Sequence, residues 1–263
     1  NYGFPQYQGK LNNNVITIAE ALREAGYSTS MSGKWHLSFF DKNQWPLQRG
    51  FDNFYGFIAG AGNFFKPEAP RFIFEGNEKL NIDDENYYTT DAFTDKAIEY
   101  IDKVKSEDNE KPFFLYLSYN APHWPLQAPK EDIDKYRGSY LKGWENLREE
   151  RYKRMIEMGL IDSSWDLSYD DIVSWKSLSK EKRKEMDLRM AIYAAMIDRM
   201  DQNIGRLIND LKSKGLYDNT IIMFLNDNGA CAENQMLGSG PKEQLETKEG
   251  YLLSYGKAWA NAS

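Results

Sequence analysis

The stretch Tyr27-Ser-Thr-Ser-Met-Ser-Gly-Lys-Trp-His-Leu37 decides how the rest of the chain is read. It follows a helix-stopping glycine, Gly26, and opens as a strand over residues 27–32. It then breaks at Gly33 and presents Lys34 and His36. In α/β proteins ligands collect at the carboxyl ends of parallel strands. A lysine there offers a fixed positive charge, and a histidine can exchange a proton near neutral pH. The same two residues could equally be a solvated loop, so the reading depends on what the other strand ends supply.

Working outward, helical and strand patterns alternate. Residues 14–25 carry Ile16, Ala19, Leu22 and Arg23 at helical spacing, with Thr17 or Asn14 as cap. Residues 90–105 repeat the pattern with Phe93, Ala97, Ile101 and Val104 behind Thr90 or Asp91. An apolar run over 112–119 reads as a second buried strand. It empties into Asn120-Ala-Pro-His-Trp-Pro125, where prolines forbid a helix and His123 sits. Residues 186–214 give the broadest apolar stripe, stopped by Gly215. Residues 220–225 then read as a third buried strand ending in Asn226-Asp-Asn-Gly229. This alternation implies an α/β fold, a mostly parallel mixed sheet flanked by helices. Residues 38–80 read as an irregular, aromatic loop region with one hairpin near Phe72-Ile-Phe74 and its turn at Glu75-Gly-Asn77. Residues 130–185 read as a charge-rich helical excursion, with one amphipathic helix from Trp144 to Gly159.

Composition narrows the class. The chain has 263 residues, 41% of them hydrophobic, enough for one large domain with a full core. A net charge of −7 argues against a nucleic-acid surface, so an anionic substrate must be held by a local cluster of cations. No apolar run reaches membrane-spanning length. Cys231 is the sole cysteine, so the chain holds no disulfide framework of its own.

The chain's two histidines each follow an expected strand, and the third strand ends in Asp227 and Asn228. The expectation is that these three loops meet at one rim of the sheet. Asp227 and Asn228 offer side-chain oxygens suited to a hard cation such as calcium or magnesium. Asp-Asn-Gly also favours a simple Asx turn, so both readings stand.

Taken together these segments resemble a known family. Gly26-Tyr-Ser-Thr29, Gly33-Lys-Trp-His-Leu37, Arg49-Gly-Phe-Asp52, Ala121-Pro-His-Trp-Pro125 and Asn226-Asp-Asn-Gly229 are similar, in order and spacing, to the type I (formylglycine-dependent) sulfatases of the alkaline-phosphatase superfamily. Tyr193-Ala-Ala-Met196 and Tyr255…Trp259-Ala-Asn-Ala-Ser263 extend the likeness over nearly the whole chain. The resemblance implies a sulfuric ester hydrolase acting on a sulfated glycan or aryl sulfate. Lys34 would bind the sulfate and the activated nucleophile. His36 would support the hydrated aldehyde of that nucleophile and accept its proton. His123 would assist the leaving oxygen, and Asp227 and Asn228 would be two ligands of one calcium ion. It also implies a periplasmic or secreted setting.

The departures are as informative. The family's nucleophile lies in a Cys/Ser-x-Pro-x-Arg segment that becomes formylglycine, and no such segment occurs in these 263 residues. Cys231, in Cys-Ala-Glu-Asn234, is not its counterpart. The family's paired aspartates of the metal site are missing, and Lys257 precedes rather than follows the Trp-Ala-Asn-Ala-Ser segment. Ser38 stands where glycine is common. The chain therefore reads as a sulfatase catalytic domain incomplete at both ends, spanning 1–263. A phosphonate or phosphate monoester hydrolase of the same superfamily and a non-catalytic glycan-binding relative are the competing readings. Two oxygen ligands cannot fill a calcium shell of about six to eight. These residues alone are accordingly expected to bind calcium weakly and to show no sulfatase turnover. Hydrolysis of an aryl sulfate by the isolated 263-residue chain would contradict this.

Overall fold

The computed structural model describes residues 9–12, 14–168, 171–233, 235–250 and 252–262. The chain divides into two compact units, residues 1–121 with 200–221, and residues 122–199 with 222–263.

The first unit is built on a five-stranded mixed sheet. Its strands are β1 (Ser28–Lys34), β2 (Asn53–Phe57), β3 (Ile73–Glu75), β4 (Glu78–Leu80) and β5 (Phe113–Ser118), in the order β4-β3-β2-β1-β5. β1 pairs in parallel with both β2 and β5, whereas β2, β3 and β4 form an antiparallel meander. Helix α1 (Ile18–Glu24) precedes β1, and α2 (Thr89–Glu107) precedes β5. The sheet has apolar clusters on both faces, as a sheet covered on both sides requires. On one face Met31, Phe54 and Phe74 pack with Ala19 of α1, Phe51 and Ile58. On the other, Tyr55, Phe57 and Ile73 pack with Phe93 and Tyr100 of α2. Tyr55 and Phe57 share a face because strand side chains alternate with period two. β1 is serine-rich where α2 lies over it, and the Ser32 hydroxyl is satisfied by donating to the Phe93 carbonyl at 2.7 Å.

α1 begins at Ile18 behind Thr17, which forms a reciprocal capping box with Glu20. Of its expected apolar stripe only Ala19 is buried, while Ile16 lies ahead of the cap and is exposed. Arg49-Gly-Phe-Asp52 locks this helix to the sheet. The Arg49 guanidinium donates to Glu20 (2.9 Å), Gln44 (2.9 Å) and the Val15 carbonyl (2.9 Å). Asp52 accepts from the Thr29 amide (3.0 Å) and hydroxyl (3.1 Å). Gly50 lets the loop run so close to α1 that a Cβ would stand 2.2 Å from the Glu20 nitrogen. This motif is therefore a structural clasp.

Two expectations change. The loop region 38–80 contains β2, whose period is interrupted by Gly56. The 220–225 run is not a strand: residues 221–226 have no regular structure and are exposed, Phe224 by 68% and Leu225 by 77%. A strand needs a hydrogen-bonded neighbour, and among the described residues β5 is paired to β1 alone. For the same reason β5 is only half-buried rather than a core strand.

The second unit contains α3 (Lys130–Tyr136), α4 (Trp144–Glu157), the part of α5 (Lys180–Ser213) up to Arg199, and α6 (Gly256–Ala260). Its core holds three tryptophans. Trp144, Trp175 and Trp259 meet edge-on or tilted at 4.8–5.7 Å between ring centroids. The Trp259 indole donates to the Met186 carbonyl at 2.9 Å. Arg189 is buried and donates to the carbonyls of Ser239, Ser254 and Gly240, tying the 239–254 segment to α5.

The clasp has a pH signature. The Arg49 hydrogen bond holds the Glu20 carboxyl below its ordinary 4.5, against the opposing pull of burial. A carboxyl lowered on folding stabilises the fold above its unfolded pKa and loses that contribution as pH falls through the folded one. Wild type should therefore exceed Glu20→Gln in urea stability at neutral pH, with the gap closing from about pH 5 downward. Arg49→Ala should cost about 3 kcal/mol at neutral pH, because it strands a partly buried carboxylate and a carbonyl. A gap for Glu20→Gln that is the same at about pH 7 and pH 3 would contradict the assignment.

Candidate active site

Lys34 and His36 leave the carboxyl end of β1, the strand paired on both sides. Their position follows from how closely the backbones approach there. Gly33 faces Gly56 of β2 and Ser118 of β5 in register. A Cβ on Gly33 would lie 2.0 Å from the Ser118 carbonyl oxygen, and one on Gly56 would lie 1.7 Å from the Gly33 oxygen. Both glycines have positive φ, 125° and 149°. Only glycine tolerates that conformation and that contact together. The Ser118 hydroxyl then donates to the Lys34 carbonyl at 2.9 Å, fixing the last residue of the strand.

Pairing with β2 continues past the strand. The Trp35 amide donates to the Phe57 carbonyl (2.8 Å) and the His36 amide to Ile58 (3.0 Å). The chain then turns sharply, with His36 at φ 60° and Ser38 at φ 48°. Left-handed conformations at non-glycine residues are uncommon and persist where surroundings hold them. Ser38 is held by its amide and hydroxyl, which both donate to the Gly9 carbonyl. A positive φ at Ser38 also explains why glycine suits this position. Lys34 is half-buried and His36 exposed. The structure thus brings two of the expected site residues together at one strand end.

In the second unit, His123 is half-buried in the proline-bounded loop. Its Nδ1 lies 2.7 Å from the Trp124 carbonyl oxygen, and its ring lies 4.9 Å from the Trp124 ring. A carbonyl only accepts, so Nδ1 carries the hydrogen and Nε2 is the nitrogen that gains or gives up a proton. Asp227 and Asn228 lie in an exposed bend. A carboxylate beside an amide oxygen has the chemistry of a calcium donor pair. Among the described residues no group of three or more histidine, cysteine, aspartate or glutamate side chains stands together as a metal shell. The pair therefore fits part of such a shell, not a whole one. The Cys231 amide donates to the Tyr255 hydroxyl (3.0 Å), and Tyr255 packs on Tyr193 at 4.5 Å. Lys257 is engaged by Asp171 at 2.5 Å. Among the described residues, no helix is long and apolar enough to cross a membrane.

Sequence reasoning missed the part played by β2 and the loop after it. Gly56, inside an aromatic run, was the available signal, because a strand glycine marks close backbone approach.

A lysine and a histidine thus stand at the end of a strand that is paired on both sides within an α/β sheet. Residues 1–258 match the Sulfatase family model, and the chain belongs to the sulfatase family. An uncharacterized sulfatase of Schizosaccharomyces pombe is 36% identical over 99% of this chain and 51% of its own length. The arylsulfatase of Klebsiella aerogenes is 34% identical over 98% of this chain and 58% of its own. The chain thus spans about half the length of the curated relatives it matches. Among solved structures, Ps i-CgsB, also determined in complex with k-i-k-neocarrahexaose, aligns with TM-score 0.50 and 26% identity over 76% of this chain and 37% of that one. The yidJ structure from Bacteroides fragilis shares the fold, with TM-score 0.55 and 23% identity over 80% of this chain and 43% of that one.

The glycine contact separates crowding from backbone conformation. Gly159 also has positive φ but open space around its Cβ position. Gly159→Ala should cost about 1 kcal/mol, whereas Gly33→Ala should cost more than about 2 and lower the melting temperature by at least about 5 °C. Equal costs for the two would contradict the close approach at the strand end.

Proposed function

We propose that this chain is part of the catalytic domain of an exported sulfatase, periplasmic or secreted, that hydrolyses a sulfate ester of a glycan or aryl alcohol. Residues 1–263 would belong to one catalytic domain, with 130–185 as its helical excursion. The observation that carries the reading is the Gly33-Lys34-Trp35-His36 terminus of β1 in a chain of this family. Lys34 supplies a cation for the sulfate oxygens, where charge must be offset as sulfur transfers. His36 takes a proton from the hydroxyl that expels sulfate. His123 gives the leaving alkoxide a proton from Nε2, its orientation set by the Nδ1 hydrogen bond to Trp124. Asp227 and Asn228 contribute two oxygens toward a calcium ion. The family's formylglycine would supply the attacking oxygen, and a calcium ion held in part by Asp227 and Asn228 would offset charge on the sulfate oxygens. The net change is an ester and water giving an alcohol and hydrogen sulfate.

The sulfated glycan is favoured as substrate by the likeness to Ps i-CgsB, determined in complex with k-i-k-neocarrahexaose. The competing phosphonate or phosphate activity is separated by assay of the full-length protein.

Three outcomes test the roles. Full-length protein should hydrolyse 4-nitrophenyl sulfate well above 4-nitrophenyl phosphate, and Lys34→Ala should lower kcat/KM by about 10²–10³. Chelation of calcium should abolish turnover and added calcium restore it. His123→Ala should cost an alkyl or sugar sulfate about 10²–10⁴, but 4-nitrophenyl sulfate far less, since nitrophenolate leaves without protonation. A preference for phosphate would overturn the reaction class, and equal His123→Ala losses on both ester types would overturn its role.

A further inference from the structure

The loop that follows β2 runs Ile58-Ala-Gly-Ala-Gly-Asn63. It is brought beside His36 by the pairing that carries β1 onward along β2 as far as the His36 amide and the Ile58 carbonyl. Beyond that hydrogen bond the two chains part, and the residue of the β2 side that meets the imidazole is Gly60. A Cβ at position 60 would lie 2.8 Å from His36 Nε2, 3.1 Å from Cδ2 and 3.2 Å from Cε1. All three ring atoms at the Nε2 end thus rest on a backbone position that lacks a side chain. Gly60 is not in the positive-φ range, so its conformation does not require glycine. Space for the ring is the reason that the structure gives.

We infer that Gly60 is a positioning residue, the seat that holds the Nε2 edge of His36 at the end of β1. The inference rests on the reading of His36 as a residue of the active site. Three features act together. The His36 amide is pinned to Ile58. Its backbone is left-handed, which sends the side chain back toward β2 rather than onward with the strand. The bare Cα of Gly60 receives the ring. Any side chain at 60 displaces the imidazole by the overlap it creates, while the sheet beneath is untouched. A displacement of about 1 Å at a reacting group is enough to lose about 10²-fold in rate.

The test uses the full-length protein with Gly60→Ala, and an Ala59→Ser control beside it. The first readout is carbethoxylation by diethyl pyrocarbonate, followed by mass spectrometry of the peptides that carry His36 and His123. The modification falls on an imidazole nitrogen, so it reports access to the ring. In Gly60→Ala the His36 rate should differ several-fold from wild type, in either direction because the ring is already exposed, while the His123 rate stays at the wild-type value, and Ala59→Ser should change neither. The second readout is steady-state turnover of 4-nitrophenyl sulfate, where kcat should fall about 10²-fold with KM little changed, and the alkaline and acid limbs of the kcat/KM profile should move. An unchanged His36 rate in Gly60→Ala would overturn the seat. A changed His36 rate with unaltered kcat would keep the seat and overturn the catalytic reading of His36. If Gly60→Ala does not accumulate as folded protein, a crystal structure of the wild type decides: an imidazole in van der Waals contact with the Gly60 Cα supports the seat, and one turned elsewhere overturns it.

Discussion

The structure depends on how closely three strands approach at the carboxyl end of β1. Gly56, Gly33 and Ser118 stand level across β2, β1 and β5, and the two glycines let the backbones close in. Two parallel neighbours fix the direction in which β1 ends, and the Ser118 hydroxyl holds the last carbonyl. From that fixed point Lys34 and His36 depart within three residues. Precision at a site is cheaper to obtain from a strand end than from a free loop, because the ladder removes backbone freedom that would otherwise be lost on binding.

The clasp at Arg49-Gly-Phe-Asp52 serves the same end from the other side of the strand. Ion pairs elsewhere, such as Lys130 with Asp134, are exposed and screened by water, and contribute little. Arg49 differs because its guanidinium is almost wholly buried and meets a carboxylate, an amide oxygen and a carbonyl. Asp52 in turn holds Thr29 in β1. The motif that marks the family in the sequence is thus a fastening of α1 to β1 and β2. Tyr193, Tyr255 and Trp259 are likewise packing residues of the second unit.

Much of this was legible in the sequence. Helix stripes, Gly26 and the Thr17 cap gave the first α-to-β step, and the Glu75-Gly-Asn77 turn gave the β3–β4 hairpin. The β2 strand was not legible, since Gly56 breaks the alternation that marks a strand, and its purpose appears only when Gly33 is set opposite. The 220–225 run failed for the converse reason. Its apolar residues carry the composition of a strand, but pairing is a property of two segments, and the described residues pair β5 with β1 alone. Lys34 and His36 were legible as residue types at the end of β1, and His123 as one in the loop after β5, whereas Asp227 and Asn228 follow no strand. The left-handed turn at His36 and Ser38 was not legible, because the hydrogen bonds to Ile58 and Gly9 that hold it come from segments distant in sequence.

The central claim is that the Lys34–His36 terminus of β1 is an oxyanion site. A crystal of the full-length protein soaked in selenate, with diffraction collected at the selenium absorption edge, tests it most directly. The account predicts an anomalous peak within hydrogen-bonding distance of Lys34 Nζ and against the His36 imidazole. A peak elsewhere, with Lys34 turned away into solvent or into an ion pair that excludes the anion, would contradict it.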